Sequence, residues 1–305
     1  MRRQVLIALL AVGLAPLAAA FVPLAAALAS PAAAFTTRDM LGQDVTLDAP
    51  PTRVVSLVPS VTEIVYALGA ESVLVGVTDF CDFPPEARHK PRVGGMVGPS
   101  LEAIVSLRPE LVIATTEGTR EDTIVQLRRL KVPVYLVAAH RVADATDLIA
   151  RLGALTGRPA AAALLVAKIE ERIAAVQKAV DQLGRPRVLY VLWPEPLIVP
   201  GRGAIVTELI QLAGGRSLTA EDHDSYPRYS LEAAVARRPE VILLANHGTN
   251  SGPIAMEKWR NLSELPAVKA GRLRSVDGDL LHRYGPRLVD GLEQLARAIH
   301  PEAFR

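Results

Sequence analysis

The chain has 305 residues, 50% of them hydrophobic and 22% charged, with a formal net charge of +2. That near-balance leaves no electrostatic footprint for nucleic acid or an anionic membrane surface, and a single cysteine, Cys81, excludes an intramolecular disulfide. The length suits one large domain or two lobes.

Arg2, Arg3 and Gln4 precede an apolar segment from Val5 to Ala29, and Pro31 to Ala34 supplies the small residues of a signal-peptidase site. Residues 1–34 therefore read as a cleaved signal peptide, with an uncleaved anchor as the alternative that the length allows. No cysteine stands at the junction to take a lipid. Arg2 and Arg3 account for the whole net charge. The expected compartment is the periplasm.

Arg53 to Pro59 (RVVSLVP) reads as a strand, and Ser60 with Glu63 as a capping box opening a helix that Gly69 closes. Val73 to Val77 is the next strand, followed by the acid- and proline-rich loop TDFCDFPPEARHKP. Further on come a helix around Glu121 to Leu130, a strand from Val134 to Val137 and a helix from Ala143 to about Leu155. Pro159 then opens a long pattern with Leu165, Ile169, Ile173, Val176, Val180 and Leu183 at spacings of three and four, an amphipathic helix. At 1.5 Å per residue it runs roughly 35 Å. Arg185-Pro186 breaks it, a strand from Arg187 to Leu192 follows, and the last helix after Pro286 carries Leu288, Val289, Leu292, Leu295 and Ile299 on one face.

One stretch occurs twice. Ser100 to Thr119, SLEAIVSLRPELVIATTEGT, is answered 130 positions later by Ser230 to Thr249, SLEAAVARRPEVILLANHGT, with half of the positions identical. Thr62-Glu63-Ile64 leading to Leu68-Gly69 is likewise echoed by Thr207-Glu208-Leu209 leading to Ala213-Gly214. The spacing is too wide for a solenoid. Each copy has a capping residue, a short helix broken at Arg-Pro and an apolar run suited to a buried parallel strand. The pattern predicts a pair of α/β lobes with a cleft between them: residues 50–157, a connecting helix over 158–184, and residues 185–305.

Catalytic and cofactor motifs are absent. Gly201-Arg202-Gly203 fails as a dinucleotide fingerprint because Val206 occupies the third glycine position, and there is no Walker loop, nucleophile elbow or HExxH. The six histidines lie far apart in sequence and form no metal-ligand pair. The chain advertises binding rather than catalysis.

RVVSLVPSVTEIVYALGA, VGVTDFCDFPPEA, SLEAIVSLRPELVIA and SVDGDLLHRYGPRLVDGLEQLA, in that order, resemble the periplasmic substrate-binding proteins of ABC importers for cobalamin, haem and ferric siderophores. The likeness spans about residues 50–303. The Asp-Phe-Pro-Pro loop and the terminal Arg-Tyr-Gly-Pro-Arg are most similar to the cobalamin-binding branch. The resemblance implies an α/β fold of two lobes, with central mainly parallel sheets joined by a single long helix. It implies a binding protein with no enzymatic activity, cofactor or metal of its own, a monomer that delivers a corrinoid to an ABC permease dimer with its ATPase subunits. Haem or a ferric siderophore is the alternative ligand; an exported hydrolase is a distant alternative function.

The resemblance also implies site residues. Phe80, Cys81, Asp82, Met96, Trp193, Tyr226, Asp279, His282 and Arg283 fall in its ligand loops, and Glu102 and Glu232, third in each repeat, where it docks on the permease. Met96 or Val97 replaces a tryptophan expected against the ring, and Leu280-Leu281 an aromatic pair. Read without the resemblance, a first-turn glutamate is favoured by the helix dipole alone, Trp193 is equally suited to lobe core, and Cys81 to a small buried hydrophobe. His282 could ligate cobalt or iron or simply sit in a loop, and Arg287 could pair with a lobe carboxylate.

Overall fold

Runs of two to six residues, most of them apolar and all too short for helices, build two parallel sheets in the computed structural model, which describes residues 34–247 and 251–304. All of the expected leader except Ala34 lies outside the described residues. A hairpin of β1 (Phe35–Arg38) and β2 (Asp44–Leu47) opens the fold. The first lobe then alternates β3 (Val54–Ser56), α1 (Pro59–Ala67), β4 (Leu74–Val77), α2 (Leu101–Ser106), β5 (Leu111–Thr115), α3 (Glu121–Arg129), β6 (Val134–Val137) and α4 (Val142–Leu155). Its strands run parallel in the order β4-β3-β5-β6, and β5 is buried along its whole length, as a central strand covered by helices must be.

One continuous helix, α5 (Pro159–Val180), leads to the second lobe. That lobe comprises β7 (Arg187–Val191), the small antiparallel pair β8 (Trp193–Pro194) and β9 (Leu197–Ile198), α6 (Ile205–Leu212), β10 (Arg216–Ser217), α7 (Leu231–Ala236) and β11 (Val241–Asn246). It closes with α8 (Ser251–Arg260), α9 (Pro266–Lys269), β12 (Leu273–Asp277), α10 (Gly278–His282) and α11 (Leu288–Ile299). Its sheet is again parallel, ordered β10-β7-β11-β12. The two lobes with parallel sheets bear out the fold expected from the sequence.

The repeat has a structural cause. Ser100 and Ser230 cap α2 and α7, each hydroxyl accepting from the N–H three residues on at 3.1 Å. Arg108 and Arg238 then take φ of 45° and 50°, a left-handed turn that ends each helix before its proline. Glu110 accepts from the Thr52 and Arg53 N–H groups at 2.6 and 3.2 Å, and Glu240 from the Arg187 N–H at 2.7 Å. Each Arg-Pro-Glu corner thus pins the start of its lobe's inner strand, β3 or β7.

Two local expectations are corrected. Helix α1 begins at Pro59, with Val58 as an N-cap that makes no side-chain bond, so Ser60 and Glu63 form no capping box; Glu63 is drawn to Arg287 instead. Helix α5 ends at Val180, and Leu183 lies in the turn beyond it. Along α5, Ala162, Ile169, Val176 and Val180 are buried, while Arg172 reaches α11 to bond Asp290 at 2.6 Å and Glu293 at 2.8 Å. Leu288, Val289, Leu292, Leu295 and Ile299 of α11 are all buried.

Candidate functional site: the cleft between the lobes

Ligands of parallel α/β sheets bind beyond the carboxyl ends of the strands, and both sheets here point those ends at one cavity of about 420 Å³. The first lobe supplies Val58, Pro59 and Ser60 at the start of α1, Phe80, Met96 and Val97 from loops, Thr115 at the end of β5 with Glu117 beyond it, and Val137 at the end of β6 with Ala138 and Ala139 beyond it. The second supplies Asp279, His282, Arg283 and Tyr284 from α10 and the turn after it. Gly118 lets Met96 lie against the wall, since a Cβ there would come within 2.8 Å of the Met96 Cε.

His282 and Tyr284, the second lobe's rings in the cavity wall, belong to a larger aromatic cluster. The rings of Tyr190, Tyr226 and His247 lie 5.7, 6.4 and 5.6 Å from that of His282, and Trp193 lies 6.2 Å from His247. The Tyr190 hydroxyl is 2.9 Å from His282 Nε2, and the Tyr226 and Tyr284 hydroxyls are 3.0 Å apart. Burial, with the neighbouring His247, pushes the His282 pKa down to about 3, so the imidazole is neutral at neutral pH. Burial likewise raises the phenols of Tyr226 and Tyr284. Opposite them Phe80, 57% exposed, presents an uncovered ring to the cleft.

Beside the cavity the lobes are bridged by charge. Arg283 bonds Asp82 of the first lobe at 2.5 Å and Asp279 of its own at 3.0 Å, with Glu63 at 3.6 Å. Arg287 meets Glu63 through two bonds of 2.8 and 2.6 Å and lies 3.8 Å over the Phe83 ring. Burial pushes the Asp82 carboxyl up, but the bond and charge of Arg283 more than offset this and leave it below its ordinary value.

The structure thus places Phe80, Met96, Asp279, His282 and Arg283 in the cavity wall. Tyr226, 37% exposed, meets the wall residue Tyr284, and Trp193, 38% exposed and so not lobe core, reaches the wall only by way of His247, which lies against His282. Asp82 acts through Arg283. Cys81 departs from the expectation of ligand contact: it is buried, its thiol 3.2 Å from the hydroxyls of Thr62 and Thr78, and desolvation raises its pKa. Glu102 and Glu232 stand exposed on the first turns of α2 and α7.

Sequence reasoning missed Glu117, His247, Tyr190 and Tyr284. A signal existed for two of them: Glu117 and His247 hold the same place in the two repeats, directly before Gly-Thr, where the chain leaves a strand for the cleft. Among the described residues no group of three or more His, Cys, Asp or Glu side chains is arranged to hold a metal, and no helix is long and apolar enough to cross a membrane.

The family described as periplasmic binding protein matches residues 54–280. An uncharacterized ABC transporter substrate-binding lipoprotein of Bacillus subtilis is 31% identical over 277 residues, covering 88% of this chain and 87% of that protein. The periplasmic vitamin B12-binding protein of Vibrio cholerae superposes with a TM-score of 0.74 at 28% identity, over 84% of this chain and 99% of that one. A periplasmic heme-binding protein of Roseiflexus superposes with the same TM-score at 30% identity, over 82% and 98%.

Proposed function

The chain belongs to the periplasmic binding protein family, as a solute-binding component of an ABC importer of the B12, haem and siderophore class, and from this premise we propose that it captures a corrinoid in the inter-lobe cleft. The carrying observation is the charge of the cavity wall. Among the described residues, Glu117 and Asp279 line it against a single cation, Arg283, which is already bonded to Asp82 and Asp279. A corrinoid brings a rim of neutral amides around a cationic metal centre, whose charge offsets the single phosphodiester of its nucleotide arm, and needs no free guanidinium. Haem brings two carboxylates and does. Apolar surface for such a ring comes from Phe80, Met96 and Val97 on one side and from His282 and Tyr284 on the other, with Tyr226 bonded to Tyr284 beside them.

Haem remains the second reading, favoured by His282, a neutral imidazole among phenols in the wall. Titration of the purified protein with cyanocobalamin and with haem, followed by visible absorbance, separates the two. Saturable one-to-one binding of haem without any corrinoid binding would replace the first reading by the second. Delivery follows from the same proposal: Glu102 and Glu232, at equivalent first turns of the two lobes, are a pair of acids suited to a two-fold permease with basic receivers.

A further inference from the structure

We infer that Asp82 is a positioning residue for ligand selection: by holding Arg283 from the opposite lobe it withdraws the cavity's guanidinium from anionic ligands, so that the cleft discriminates against carboxylate-bearing tetrapyrroles. The inference rests on the reading of the cleft as a tetrapyrrole site and names the residue that sets its charge preference. Asp82 is not part of the cavity wall; its Oδ1 lies 2.5 Å from Arg283 Nη1, and Arg283 is. The other arm of the guanidinium, Nη2, is held by Asp279 Oδ2 at 3.0 Å, and Glu63 Oε1 stands 3.6 Å from Nη1. Three carboxylates from two lobes surround one cation whose side chain is only 15% exposed.

Arg287 cannot substitute for it, because Nε and Nη2 are both spent on Glu63 and its guanidinium lies over Phe83. A ligand carboxylate that takes Arg283 as its counter-ion competes with Asp82 and Asp279 for one positive charge, so it either displaces Asp82 and leaves that carboxylate without its partner or stands unneutralised beside the acids already there. An amide oxygen can accept from a remaining guanidinium N–H without displacing anything. The discrimination comes from the unfavourable element, as in other selective sites.

The test uses two ligands with one ring and one metal, haem and haem dimethyl ester, which differ by two negative charges. Dissociation constants of both are measured for the wild-type protein and for Asp82→Asn. The preference for haem over its ester is expected to rise by about tenfold or more in the variant, as an interfacial charge pair removed beside the ligand allows. An unchanged preference, or no haem binding by the variant, overturns the inference; a loss of structure alone would move both ligands together. Should Asp82→Asn fail to fold, Asp279→Asn releases the same guanidinium from the other side and is read by the same ratio. A parallel titration with cyanocobalamin keeps the two proposals apart: no corrinoid binding with a shifted ratio retires the corrinoid reading and leaves the role of Asp82 standing.

Discussion

Glu63 on α1 and Arg287 just ahead of α11 are 224 residues apart in the chain and meet through two bonds of 2.8 and 2.6 Å that tie one lobe to the other. Glu208, the counterpart of Glu63 in the sequence echo, crosses in the opposite direction: from α6 it accepts the Val142 N–H at the start of α4 at 2.8 Å. The echoed glutamates are thus reciprocal ties, each leaving its own lobe for the first turn, or the cap, of a helix in the other.

The first of these ties is buried on the acid side, Glu63 being 3% exposed. Glu63→Ala strands Arg287 and removes one of three acids from Arg283, so a loss of about 3–5 kcal/mol in urea denaturation is expected. The double variant Glu63→Ala/Arg287→Met should recover part of that loss. Equal losses in the single and double variants would mean that the pair contributes packing and not charge compensation.

Lobe closure on ligand binding is expected to be small. Helix α5 carries no glycine, and its one proline is at the first position, so it offers no kink site, and the two glutamate ties brace the cleft. Crystal forms with and without ligand should superpose as whole molecules; a rotation of tens of degrees between lobes would show that the ties break on binding.

Phe80→Ala and Tyr226→Ala should each weaken ligand binding by about 1 kcal/mol or more, since each removes an aromatic face from the cleft at little cost to the fold. Isothermal titration of both variants is the measurement. Unchanged affinity in both would place the ligand elsewhere.

Acid should destabilise the protein through His282. Its pKa is about 3 when folded against an ordinary value of 6.5, so below that value the unfolded chain binds the extra proton and stability falls with pH, by at most about 1.4 kcal/mol per unit. The depressed carboxyl of Asp82 adds a loss in the same direction only at lower pH, as its folded value is approached. In the window from about 6.5 to 4.5, His282→Gln should flatten the dependence of unfolding free energy on pH. A variant as steep as the wild type would assign the slope to other groups.

If the two glutamates dock as proposed, reversing Glu102 and Glu232 together to lysine should leave ligand affinity intact and abolish uptake, with partial defects in the single variants, because like charges would then face the receivers proposed for the permease. Melting temperature must be followed alongside transport, as both residues sit where the helix dipole favours an acid. Normal uptake by the folded double variant would reduce the matched pair to helix-start residues.

What the sequence made legible was whatever is decided locally. The Val134–Val137 strand, the buried face of α11 and the caps Ser100 and Ser230 follow from period, propensity and a hydroxyl three residues ahead of an N–H. Ser60 and Glu63 carried the same kind of local signal and misled, because Pro59 takes the first helical position and a distant arginine claims the glutamate. Tyr190 reads as strand core from its neighbours, and only the fold brings its hydroxyl to His282. Cys81 lies in a loop that faces the cleft, but Thr62 and Thr78 turn its thiol inward.

Each sheet is closed within its own lobe: among the described residues no strand of β3 to β6 pairs with β7, β10, β11 or β12. The chain can therefore complete either sheet without waiting for the other, and the loop-closure entropy of the longest separations is deferred to side-chain pairs such as Glu63 with Arg287 and Asp82 with Arg283. Bonds made after both lobes have formed have little influence on how fast the lobes appear. They act on how slowly the lobes come apart, so the network beside the cleft is expected to lengthen the lifetime of the folded protein.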